Sequence, residues 1–162
     1  MHIPARLKTA QRGFTLIELL VVIGILAVLL AIVLVAINPA RQFAQANNTK
    51  RSSDVNAMLN AVNQYMADNR GTPPTGVPAS GSADISSAAL AGDSQAFCEA
   101  LVTEYLAALP VDPQTNNGDP VEEVDCSGTW DTGYEMSRSA TDNRITVSAP
   151  GAELGATITV TR

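Results

Sequence analysis

The chain has 162 residues, room for one modest domain beside any long apolar segment, and its formal net charge is −6, from 10 Lys and Arg against 16 Asp and Glu. That acidic balance argues against nucleic acid as the main partner. Catalysis finds little support either: His2 is the one histidine, no nucleophile stands in a recognisable setting, and no Gly-rich loop offers to cradle phosphate, so the chain reads as a non-enzyme.

Arg6, Lys8 and Arg12 open the chain with no acidic residue among them. An apolar run of 24 residues follows, Phe14 to Ile37, holding eighteen Val, Ile, Leu or Phe residues and one charge, Glu18. As a helix it reaches roughly 36 Å, against a hydrocarbon core of ~30 Å. At roughly −0.4 kcal/mol each, the eighteen large apolar residues outweigh one carboxylate several-fold on insertion scales. The run therefore inserts, and the basic residues before it keep the N-terminus cytoplasmic, which predicts a single-pass inner-membrane protein with everything after Ile37 outside the cytoplasm. A secretory signal peptide is the ordinary alternative, and Ala44-Gln45-Ala46 offers a cleavage pattern. Its apolar stretch, however, is normally only ~7–15 residues.

Pro39 interrupts the run, and helix is expected to resume over 38–70, because Val55, Met58, Leu59, Val62 and Met66 recur at spacings of three and four. Residues 44–54 are polar and poorer helix formers. Gly71, Thr72, Pro73 and Pro74 end this stem, and residues 71–93, rich in Gly, Ser, Ala and Pro, read as a connecting loop. A second helix is expected from about Ser94 to Leu109, capped by Asp93 or Ser94, with Phe97, Leu101, Tyr105 and Leu109 on one face. Pro110 and Pro113 then stop it, and Asp112 between them caps a turn. Strands are predicted at 133–137, 144–149 and 156–161, where Ile145, Val147 and Ala149 alternate, as do Ile158 and Val160. Residues 38–70 hold four basic and two acidic residues, whereas 71–162 hold three basic and thirteen acidic. The predicted fold class is α+β: a long N-terminal helix whose outer half packs on a small antiparallel sheet.

The segment Gly13-Phe14-Thr15-Leu16-Ile17-Glu18, after a short basic leader and before some twenty apolar residues, resembles the N-terminus of type IV pilins and type II secretion pseudopilins. A second segment, Tyr105-Leu106 through Leu109-Pro110 to Asp112-Pro113, resembles the Tyr-Leu-x-x-Leu-Pro-x-Asp-Pro stretch of major pseudopilins. Beyond it the likeness weakens: Gln114 to Gly118 stand where that family often has Trp-Gly-Asn-Pro-Tyr. The resemblance implies a 1–13 leader, a 14–37 filament-core helix, a 38–70 outer stem and a 71–162 pilin-like head. It implies cleavage between Gly13 and Phe14 by a prepilin peptidase and N-methylation of Phe14. It implies a subunit polymerised with copies of itself and other pilins or pseudopilins on an inner-membrane assembly platform, held by membrane lipid until then. Many family members carry a proline where this chain has Val35, so the flexible point of the helix is expected at Pro39 instead, with Gly24 a second weak point.

Glu18 is the residue on which assembly is expected to turn. A buried carboxylate needs a partner, and the Phe14 amine of a neighbouring subunit is the obvious one. A membrane-anchored extracytoplasmic binding module, such as a minor tip adhesin or a calcium-binding head, is the rival reading, and a simple anchor has no need of that charge. Cys98 and Cys126 both lie in the exported part, where a disulfide is the default and two free thiols the alternative. Calcium enters through the resemblance: major pseudopilins bind it in a C-terminal loop, and Glu153 falls where they have an acidic residue. Asp119, Glu122, Glu123, Asp125 and Asp131 form a second acidic group, readable as a chelator or as a solvated surface. Trp130 and Tyr134 are expected in the core beneath the sheet.

Overall fold

A computed structural model describes residues 13–90 and 93–162. The chain divides into two compact units, the first ending at Pro39 and the second running from Ala40 to Arg162. Residues 1–12, most of the expected leader, lie outside the described residues.

In the first unit, helix α1 spans Leu16–Ile37. Thr15 starts it from an extended conformation, its Oγ1 accepting the Glu18 N–H at 3.3 Å. That bond satisfies one of the donors a helix start leaves open. Asn38 ends the helix at φ +47°, a left-handed conformation that Asn tolerates better than most residues. The position before a proline is also pushed out of the α region, so the break at Asn38 follows from Pro39. Pro39 is the first residue of helix α2, Pro39–Asp68, where a missing N–H costs nothing.

In the second unit, α2 buries Ala44, Arg51, Val55, Met58, Leu59, Ala61 and Val62, a stripe at helical spacing. Its end is marked by Arg70 and Gly71 at positive φ, and the Gly71 N–H donates to the Met66 carbonyl at 2.7 Å. The polar stretch 44–54 is helical throughout. Four strands form one antiparallel sheet in chain order: β1 Gly81–Ser86, β2 Asp131–Arg138, β3 Ile145–Ser148 and β4 Thr159–Thr161. The alternation expected of Ile145, Val147 and Ala149 holds, and all three are buried against the core. Trp130 and Tyr134 are buried there as well.

Two expectations need correction. Residues 81–86 are a strand, not part of a connecting loop. Their pairing with β2 joins residues some fifty positions apart, Gly81 to Arg138 and Asp84 to Glu135, and short sequence windows hold no signal for such a partner. Thr132 Oγ1 reinforces it by donating to the Ile85 carbonyl at 2.7 Å. The second correction concerns helix α3, which is Ser94–Leu101 and does not reach Leu109. Val102 turns extended and Thr103 adopts φ +75°, while the Leu106 N–H closes back on the Leu101 carbonyl at 2.9 Å. Leu109 instead pairs with Val121, each N–H donating to the other's carbonyl at 2.9 and 3.0 Å. Asp93 occupies the N-cap position of α3 without a side-chain bond. Tyr105, placed by periodicity on that helix, packs edge-on against Tyr65 at 5.9 Å and donates to Asp68 at 3.0 Å.

Candidate assembly surface

The start of α1 and its surface form the candidate site. Gly13 and Phe14 precede the helix in non-helical backbone, both exposed, with Phe14 at 78%. Glu18 is the third residue of α1, and Thr15-x-x-Glu18 has the form of a capping box at the helix start. A carboxylate there faces the positive end of the helix dipole. This local role is legible in the sequence from the Thr-to-Glu spacing, and it stands beside the assembly role expected of Glu18. None of the residues of α1 is buried, although the helix is long and apolar enough to cross a membrane. Such a surface requires cover from something outside the monomer. Gly24 lies within α1, with open space where a Cβ would point.

Two devices stiffen the second unit. Cys98 and Cys126 are joined as a disulfide, their Cα atoms 5.5 Å apart, tying α3 to the acidic segment. Arg51 supplies the other. It is fully buried on α2, four residues before Val55. Its Nε and Nη2 donate to the two carboxylate oxygens of Asp112, and its Nη1 donates to Glu153 at 2.9 Å and to Asn48 at 3.1 Å. Asp112 also caps the expected turn, accepting from the Gln114 N–H at 2.8 Å. Gly151 lies against this group: a Cβ there would come within 3.1 Å of Asp112 Oδ2. Burial works to raise the Asp112 carboxyl, but the Arg51 and Gln114 hydrogen bonds overcome it and hold it below the usual carboxylate range. Asn47 and Arg51 hold Glu153 low in the same way. Sequence reasoning missed this network. Its one signal was a basic residue standing on the apolar stripe of the stem.

Glu153, expected as a calcium candidate, is thus engaged by Asn47, Asn48 and Arg51. In the second acidic group, the Glu122 N–H donates to Asp125, and the Gly133 N–H donates to Asp131. Among the described residues no three His, Cys, Asp or Glu side chains gather closely enough to hold a metal ion.

Residues 8–34 match the prokaryotic N-terminal methylation motif. The chain carries that motif at the head of its apolar helix. It is 39% identical over 70 residues to the type II secretion system core protein G of Escherichia coli (strain K12), and 38% identical over 68 residues to that of Aeromonas hydrophila. Those matches cover 43% and 42% of this chain. The chain spans about half the length of these curated relatives, 47% and 46%. No solved structure matches it.

Proposed function

We propose that this pilin-type chain is a structural subunit of a type IV pilus or a secretion pseudopilus, cut between Gly13 and Phe14 and polymerised through α1. The observation that carries the reading is a methylation motif at the head of an apolar helix with no buried residue. The names of the two relatives and the Leu109-Pro110-x-Asp112-Pro113 segment favour the pseudopilus. Hydrolysis of the Gly13–Phe14 bond detaches Arg6, Lys8 and Arg12, the charges that hold the N-terminus at the cytoplasmic face, and exposes an amine on Phe14. Glu18 lies four residues from that amine, about 6 Å along a helix. While the subunit waits in the bilayer, the carboxylate reaches the near interface. When α1 helices of several copies bundle, it pairs with the Phe14 amine of a neighbour, which fixes register more than it adds stability. Prepilin peptidase, an inner-membrane assembly platform and other pilins or pseudopilins are the partners this route requires.

Glu18→Gln separates the two roles of the residue, because Gln serves a capping box as well as Glu does but carries no charge. Membrane insertion is expected unchanged and sheared filament yield abolished; a normal yield from the variant would refute the assembly role. Mass spectrometry of sheared filaments is expected to find methylated Phe14 as the first residue.

A further inference from the structure

The loop that joins β3 to β4, residues 149–158, closes on a single cation. Glu153 in that loop reaches back to α2, where Arg51 is fully buried. Four side-chain oxygens from three parts of the chain converge on the guanidinium: both of Asp112, Oε2 of Glu153 at 2.9 Å and Oδ1 of Asn48 at 3.1 Å. Carboxylates and side-chain amides are also the donors that a hard divalent cation takes.

The resemblance to major pseudopilins implies calcium at this loop through Glu153. The geometry here disagrees. Calcium draws six to eight oxygens to about 2.3–2.6 Å, each with a lone pair free to face it. In this head the lone pairs already face nitrogen. Nε and Nη2 of Arg51 meet the two Asp112 oxygens, and Glu153 Oε2 is shared between Arg51 Nη1 and Asn47 Nδ2, the latter at 3.0 Å. The Glu153 carbonyl is taken as well, by Asn48 Nδ2 at 2.8 Å. A doubly charged ion at this spot would stand against a buried guanidinium, and like charges in such surroundings repel strongly. Gly151 brings the loop backbone against the ion pair itself: a Cβ there would lie 3.1 Å from Asp112 Oδ2 and 3.5 Å from Arg51 Nη2.

We propose that Arg51 is the resident cation of this loop, holding by hydrogen bonds the place that a divalent ion would hold by coordination, so that the head closes without calcium. One guanidinium faces two carboxylates. Removing it leaves two negative groups and a void lined by oxygens, which a divalent ion can fill. This closure belongs to the second unit alone and does not depend on how α1 assembles.

Thermal unfolding of the full chain in detergent, in EGTA and in about 10 mM calcium chloride, tests it. The wild-type Tm is expected to agree within about one degree between the two conditions. Arg51→Ala is expected to melt about 10 °C lower in EGTA, and calcium to return about 5 °C of that, the effect of a Kd of about 1 mM. An Arg51→Ala variant that folds and ignores calcium overturns the proposal. So does a wild-type shift that Glu153→Gln abolishes, and this second comparison holds even if Arg51→Ala does not fold. A wild-type shift that survives Glu153→Gln places calcium elsewhere on the chain and leaves Arg51 as the cation of the loop.

Discussion

Arg51 shows how one residue can tie a stem helix to two loops. Its guanidinium is fully buried and every nitrogen donates, to Asp112, Glu153 or Asn48. Removing one member of such a buried pair leaves an uncompensated charge, so Asp112→Ala is expected to cost about 3–5 kcal/mol, read from urea unfolding of the full chain in detergent. Acid acts on the same group. Asp112 and Glu153 are both held below their ordinary range when folded, so each binds protons less readily folded than unfolded. Their contribution is fully present above the unfolded values of ~4 and is lost as pH falls through the lower folded values. Unfolding midpoints are therefore expected to drop below about pH 4, and the drop to shrink in Asp112→Ala.

At the scale of elements, local signals worked where the pattern was local. The stripe from Val55 to Val62 located α2, and the alternation from Ile145 to Ala149 located β3. They failed where a distant partner decided. Gly81–Ser86 has little strand propensity apart from Ile85 and becomes β1 because β2 is there to pair with. Leu109 keeps the spacing of a helix face, yet it leaves α3 because Val121 offers a pair of backbone bonds. The disulfide braces the same region. With Cys98 and Cys126 separated by 28 positions, a double Cys98→Ser, Cys126→Ser variant is expected to lose roughly 3.5 kcal/mol on the chain-entropy estimate, measurable by thermal unfolding.

For the whole molecule, the division after Pro39 carries a clear expectation. Helix α1 buries none of its residues, whereas α2, α3 and the sheet share one core. Residues 40–162 expressed alone are therefore expected to fold with a melting temperature within a few degrees of the full chain in detergent. Circular dichroism checks this, and a polypeptide that fails to fold would show that α1 supports the core.

The sequence by itself determined the apolar helix, the Gly13–Phe14 motif before it and the carboxylate four residues on. Those are contiguous features, written in covalent order, and no packing is needed to express them. It also brought Cys98 and Cys126 to notice, though only the fold brings them within bonding distance. The tertiary structure alone decided that Arg51 meets Asp112 and Glu153, that residues 81–86 pair as a strand, and that Asn47 bonds to Glu153. Each of those depends on residues some fifty to a hundred positions apart reaching the same place, and such pairings are set by how the core closes.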